Sequence, residues 1–201
     1  MIRLLLADDQ ALVRGALAAL LDLETDLEVV AQVGRGDEVV AAALAARADV
    51  ALLDVEMPGL DGIGAAAALT AQVLGCRSLI VTTFGRPGYL RRALDAGANG
   101  FVVKDTPAGQ LADAVRRVHS GLRVVDPDLA VASLTVGSSP LTEREAQVLA
   151  LAADGGTVAQ VAAEAYLSEG TVRNYLSSAM GKTGARTRAE AVRIARENGW
   201  L

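Results

Sequence analysis

The chain has 201 residues, of which 52% are apolar, 21% charged and 3% aromatic, and its net charge is −5. That length accommodates one large domain or two small ones, and the composition suits a helix-rich globular protein rather than a disordered one. No apolar run approaches the ~20 residues of a membrane span, the richest (Ile63 to Leu69) stopping at Thr70, and the lone Cys76 leaves neither a disulfide framework nor a cysteine zinc site. Met1-Ile2-Arg3 runs directly into strand-like residues, so no signal peptide is expected and the cytoplasm is the expected compartment.

The first 120 residues alternate two periodicities. Ile2 to Ala7 is a near-continuous apolar run of strand length, and Leu12 to Leu23 has helical spacing. Leu27 to Val33 reads as a strand, Val39 to Ala46 as a helix, and Asp49 to Leu53 as a buried strand ending at Asp54. A helix from Gly62 to Leu74, a strand from Ser78 to Thr82, a helix near Tyr89 to Ala96 and a strand from Gly100 to Val103 follow. Thr106-Pro107 then signals a helix to His119, with the threonine as cap. Five apolar strands separated by helices imply a parallel sheet covered on both faces: an α/β, flavodoxin-like, doubly wound five-stranded domain.

Gly121 to Ser139 breaks this alternation and reads as a linker with one short helix around Asp128 to Leu134. From residue 140 the chain is all helix. Thr142-Glu143-Arg144-Glu145 fits a capping box opening a helix toward Asp154, which Gly155-Gly156 stops. A helix from Thr157 to Ala165, one capped by Ser168, and one opened by a second capping box at Thr187-Arg188-Ala189-Glu190 complete an all-α four-helix domain. The expected division is therefore 1–120, 121–139 and 140–201. Residues 1–120 carry a net charge of −4, whereas residues 140–201 carry seven charges of each sign. The acidic part is a poor partner for nucleic acid by itself; the neutral part can meet it where its basic residues cluster.

In a parallel sheet the carboxyl ends of the strands lie on one edge. Asp8-Asp9, Asp54, Thr82 and Lys104 all fall at such ends and so converge. Crowded carboxylates repel one another unless a cation neutralises them, and Mg²⁺ takes oxygen ligands while keeping positions open for a phosphate. Lys104 and the Thr82 hydroxyl can each serve a phosphoryl oxygen, and Asp54 is best placed as the nucleophile that becomes an acyl phosphate.

These residues, with Leu53-Asp54-Val55-Glu56-Met57-Pro58-Gly59-Leu60-Asp61-Gly62 and Gly97-Ala98-Asn99-Gly100-Phe101-Val102-Val103-Lys104-Asp105, resemble a response-regulator receiver domain. The resemblance implies that Asp9, Asp54 and the backbone carbonyl of Glu56 hold Mg²⁺ with help from Asp8. It also implies that Thr82 and Phe101 form a switch pair and that the phosphate comes from a partner histidine kinase.

Ala162 and Val172 stand ten residues apart across Tyr166-Leu167-Ser168, which is helix-turn-helix spacing. Together with Leu141-Thr142-Glu143-Arg144-Glu145 and Leu167-Ser168-Glu169-Gly170-Thr171-Val172-Arg173-Asn174-Tyr175, the second half resembles the LuxR-type DNA-binding domain of NarL/FixJ regulators. By that resemblance Arg173 and Asn174 face base edges in double-stranded operator DNA, and Thr171 meets a phosphate. Lys182, Arg186 and Arg188 make backbone contacts, and Ser177 stands where relatives carry a basic residue. Few phosphate contacts favour a homodimer, formed on phosphorylation, that binds paired half-sites.

The chain therefore reads as a transcription regulator rather than an enzyme, with no membrane partner. An aspartate-nucleophile phosphatase would call for Asp-x-Asp in place of the adjacent Asp8-Asp9. The remaining alternative keeps the DNA-binding half but makes the receiver a phosphorylation-independent dimerisation or ligand module.

Overall fold

The computed structural model describes residues 1–83, 87–127, 129–131, 139–153 and 155–201, and the chain divides into two compact units. The first holds strands β1 (Ile2–Ala7), β2 (Leu27–Val33), β3 (Val50–Leu53), β4 (Arg77–Thr82), β5 (Gly100–Val103) and β6 (Val124–Val125). All pairs are parallel, in the order β2-β1-β3-β4-β5-β6. Helices α1 (Ala11–Leu21), α2 (Val39–Ala46), α3 (Gly62–Gln72), α4 (Pro87–Asp95) and α5 (Ala108–His119) alternate with the strands.

The central strands read as unbroken apolar runs because both of their faces are covered. Leu4, Leu6, Val50, Leu52, Leu79 and Val81 pack with residues of α1 and α5 into one core layer. The alternate residues Leu5, Ala51, Leu53, Ile80 and Phe101 point to the opposite face and are completely buried, and α2 and α3 pack on the sheet there.

Two local expectations change. Val124 and Val125, within the expected linker, pair with Gly100 and Phe101 as a sixth strand. Gly121, at φ +93°, reverses the chain after α5, and two β-branched residues suffice to extend the sheet edge. A two-residue strand is too short to leave a periodic signal. Thr106 does not cap α5: Pro107 takes that position at φ −54° and ψ 141° with no side-chain cap bond, while the Thr106 amide donates to the Val103 carbonyl at 3.0 Å. Of the helix expected around 128–134, residues 128 and 132–134 lie outside the described residues, and 129–131 are helical.

The second unit contains α6 (Glu143–Leu151), α7 (Val158–Ala165), α8 (Glu169–Thr183) and α9 (Arg188–Glu197) around a core that includes Val148, Leu149, Val161, Val172, Leu176 and Ala195. Thr142 and Glu145 form the expected capping box, and Thr157 with Gln160 forms another. The first expected helix ends at Leu151, and Asp154 lies outside the described residues. At α9 the Thr187 hydroxyl accepts from the Glu190 amide, but the Glu190 carboxylate turns to the Arg186 amide at 2.8 Å, so the reciprocal half of that box is redirected. Ala162 and Val172 are both buried where α7 packs on α8.

Candidate functional site

Two places gather chemistry, one in each unit. At the carboxyl edge of the sheet, Asp8 follows β1, Asp54 follows β3, Thr82 ends β4 and Lys104 follows β5. Adjacency of β1 and β3 brings the two aspartates together, and the Asp54 amide donates to the Ala7 carbonyl at 2.8 Å, locking the acceptor strand to its neighbour. Gly62 lets α3 start hard against this end: a Cβ there would lie 1.9 Å from the Asp54 carbonyl oxygen.

Asp8 and Asp54 are only 3% and 4% exposed, whereas Asp9 stands exposed at the rim. One carboxylate oxygen from each of the three lies within 4.8 Å of the others. Lys104 Nζ sits 2.7 Å from Asp8 Oδ2 and 3.0 Å from Asp54 Oδ2, so the ammonium bridges the two buried acids. Burial pushes the Asp54 carboxyl above its ordinary pKa, and Lys104 only partly offsets this. Burial also works against the Lys104 charge, yet the hydrogen bonds and charges of Asp8 and Asp54 together outweigh it and raise the ammonium pKa.

An all-oxygen set of this kind suits a hard divalent cation. Glu56 is exposed in the loop after β3. Thr82 is buried, and its carbonyl accepts from the Lys104 amide at 2.7 Å, which ties hydroxyl and ammonium to one strand pair. Phe101 is wholly inside the sheet, in register with Ile80.

Two residues near the pocket have roles that the sequence did not assign: Arg14, and Asp61 of the motif after the acceptor. Arg14 donates from Nη1 to the Asp8 backbone carbonyl and so braces the acidic loop. It is the single charged residue in α1, which is the signal that marks it. Asp61 caps α3 by accepting from the Gly64 amide at 2.6 Å and lies 3.5 Å from Arg92.

In the second unit, Ser168 caps α8 by accepting from the Thr171 amide at 3.1 Å, and its hydroxyl lies 2.8 Å from that of Thr171. Arg173, Asn174 and Ser177 are exposed on α8, and Arg186 is exposed beyond it. Other expected backbone contacts have partners within the fold. Lys182 Nζ lies 2.7 Å from Glu145 Oε2, and Arg188 Nη1 donates to the Gly156 carbonyl at 2.7 Å. Glu145 is buried and also accepts from the Ser178 hydroxyl at 2.6 Å and the Thr142 amide at 2.7 Å. Led by the Lys182 bond, these contacts hold its carboxyl at about 2. Sequence reading saw only the capping half of Glu145's role, because Ser178 and Lys182 lie 33 and 37 residues away.

A buried acid–lysine pocket at the mouth of a doubly wound sheet and a capped helix-turn-helix define a two-part signalling regulator. Residues 4–116 match the response regulator receiver domain, and residues 139–195 match the bacterial regulatory proteins of the luxR family. The chain is 44% identical to the uncharacterized transcriptional regulatory protein YvfU and 42% identical to the transcriptional regulatory protein DesR, both of Bacillus subtilis, over the full length of every chain. It is 36% identical to the DNA-binding transcriptional activator DevR/DosR of Mycobacterium tuberculosis, covering 98% of this chain and 95% of that one.

The crystal structure of the response regulator ChrA of a heme-sensing two-component system aligns at a TM-score of 0.59 and 33% identity, over 100% of this chain and 98% of ChrA. A structure of two RcsB dimers bound to two parallel DNAs shares the fold at a TM-score of 0.67 and 22% identity, over 98% of each chain. The protein belongs to the two-component response regulators that join a receiver domain to a LuxR-type helix-turn-helix. Among the described residues no helix is long and apolar enough to cross a membrane.

Proposed function

We propose that Asp54 accepts a phosphoryl group from a histidine kinase and that this modification controls dimer formation and operator binding by residues 140–201. The observation that carries the reading is the Lys104 ammonium bridging Asp8 and Asp54 at 2.7 and 3.0 Å, beside a third carboxylate, at the open edge of the sheet.

In the transfer, an Asp54 carboxylate oxygen attacks phosphorus. The N–P bond of the kinase phosphohistidine breaks, its electron pair stays on the imidazole, and an acyl phosphate remains on Asp54. Asp9, Asp54 and the Glu56 carbonyl, with Asp8, are the groups that would hold Mg²⁺, whose charge when bound screens the approaching phosphoryl oxygens. Lys104 exchanges part of its contact with Asp54 for a phosphoryl oxygen, and the Thr82 hydroxyl donates to another. Filling the place beside Thr82 rebalances the receiver through Phe101, which shares the sheet interior.

At the far end, the N-terminus of α8 with Thr171 meets a phosphate, Arg173 and Asn174 read base edges, and Ser177 and Arg186 flank them. Lys182 and Arg188 reach the DNA backbone only while remaining tethered to Glu145 and Gly156. Paired copies on two half-sites multiply the effect of few contacts. The DNA partner puts this action in the cytoplasm.

Incubating the protein with acetyl phosphate and magnesium should label it once, and Asp54→Asn should remove the label. Label persisting on another residue would overturn the assignment. Beryllofluoride should strengthen both dimerisation and operator binding. If it changes neither, the receiver is a phosphorylation-independent module.

A further inference from the structure

The outward face of α8 is built from Glu169, Gly170, Arg173, Asn174 and Ser177, all exposed, opposite the buried Val172, Leu176 and Ala179. Of these five, Glu169 and Arg173 carry charge. They lie one turn apart, with Arg173 Nη2 2.6 Å from Glu169 Oε2. The side chains are 62% and 50% exposed, so a partner can reach the pair. The neighbouring backbone is also open among the described residues: a Cβ on Gly170 would meet only Ser168 Oγ, at 3.8 Å.

The local account of Glu169 is a negative charge at the positive end of a helix. That account needs only the charge. The carboxylate, however, reaches forward to Arg173, while Ser168 already serves the Thr171 amide. On DNA a free arginine has two destinations, a phosphate or the O6 and N7 edge of guanine, and the phosphates are everywhere along the groove. A guanidinium has five N–H donors, so one bond to Glu169 leaves an edge free for bidentate base contact. The same carboxylate is repelled by phosphates.

We infer that Glu169 is a positioning residue for sequence reading, holding the Arg173 guanidinium off the phosphates and toward a base edge, so that operator discrimination rises while overall DNA affinity falls. This rests on the reading of α8 as the DNA-reading helix.

The test uses the full chain, a duplex selected from genomic fragments by the wild-type protein, and a scrambled duplex, titrated over a range of salt. Glu169→Gln should bind the scrambled duplex several-fold more tightly, with a log–log salt slope steeper by about 0.9, the value of one added phosphate contact. The ratio of selected to scrambled affinity should fall about tenfold, as for loss of one base contact. Glu169→Asp keeps the charge at the helix end but shortens the reach, and it should lose discrimination as well. In an Arg173→Ala background, Glu169→Gln should leave the ratio unchanged, because relief of carboxylate–phosphate repulsion acts on both duplexes alike.

An unchanged ratio in Glu169→Gln, full discrimination in Glu169→Asp, or an undiminished Gln effect without Arg173 overturns the inference and leaves DNA binding standing. A wild-type protein that cannot tell the two duplexes apart removes the DNA-reading assignment and this inference together.

Discussion

Each unit buries a carboxylate against a lysine, and the two arrangements differ in how completely the acid is satisfied. Glu145 accepts from Lys182, Ser178 and the Thr142 amide, and its carboxyl is held at about 2. Asp54 shares one lysine with Asp8, has Asp9 close by, and is pushed upward by burial. A satisfied buried charge contributes to the fold, whereas a crowded, under-neutralised one is held at a cost and is poised to accept a cation or an electrophile. The same residue types therefore serve structure in one unit and reactivity in the other.

The sharpest way to break this contrast is to remove the lysines. Lys104→Met should slow labelling by acetyl phosphate on the order of 100-fold, the scale for losing one preorganised electrostatic contact to a reacting oxygen. The protein should stay folded by circular dichroism. Lys182→Met should leave the labelling rate unchanged.

Removing the acids tests the other side. Glu145→Ala should destabilise the helical unit by about 2 kcal/mol, the range for losing hydrogen bonds to a buried charged group. Urea denaturation followed by Trp200 fluorescence would measure this. Asp54→Asn should have the opposite sign in metal-free buffer at neutral pH, stabilising the first unit by on the order of 1 kcal/mol, because a neutral isostere relieves a disfavoured buried charge. Destabilisation of the first unit by Asp54→Asn would show that Asp54 is as well satisfied as Glu145.

Acid separates wild type from Glu145→Ala by a further route. The folded-state pKa of Glu145 lies below its ordinary value of 4.5, so its contribution is present above that value and is lost as pH falls toward about 2. The difference in stability between wild type and Glu145→Ala should therefore shrink as pH falls across that window. An effect no larger is expected at Thr157: loss of its cap to α7 in Thr157→Ala should cost about 1 kcal/mol, with no change in labelling.

The amino-acid pattern by itself determined the alternation of buried strands and amphipathic helices, the helical second half, and the chain positions of Asp8, Asp9, Asp54, Thr82 and Lys104. These are local properties: burial on both faces writes an apolar run, and a strand end writes a polar residue after it. The pairing of Val124–Val125 with β5, the brace from Arg14 to the Asp8 carbonyl, and the engagement of Lys182 by Glu145 were decided only when distant segments met. Thr106 failed as a cap for a related reason, since its amide was drawn to Val103 and the helix opened one residue later. An ion pair between residues 37 positions apart leaves no periodicity in the chain. Whether a lysine meets DNA freely or first meets a glutamate is set by packing, because only packing settles which charges share a neighbourhood.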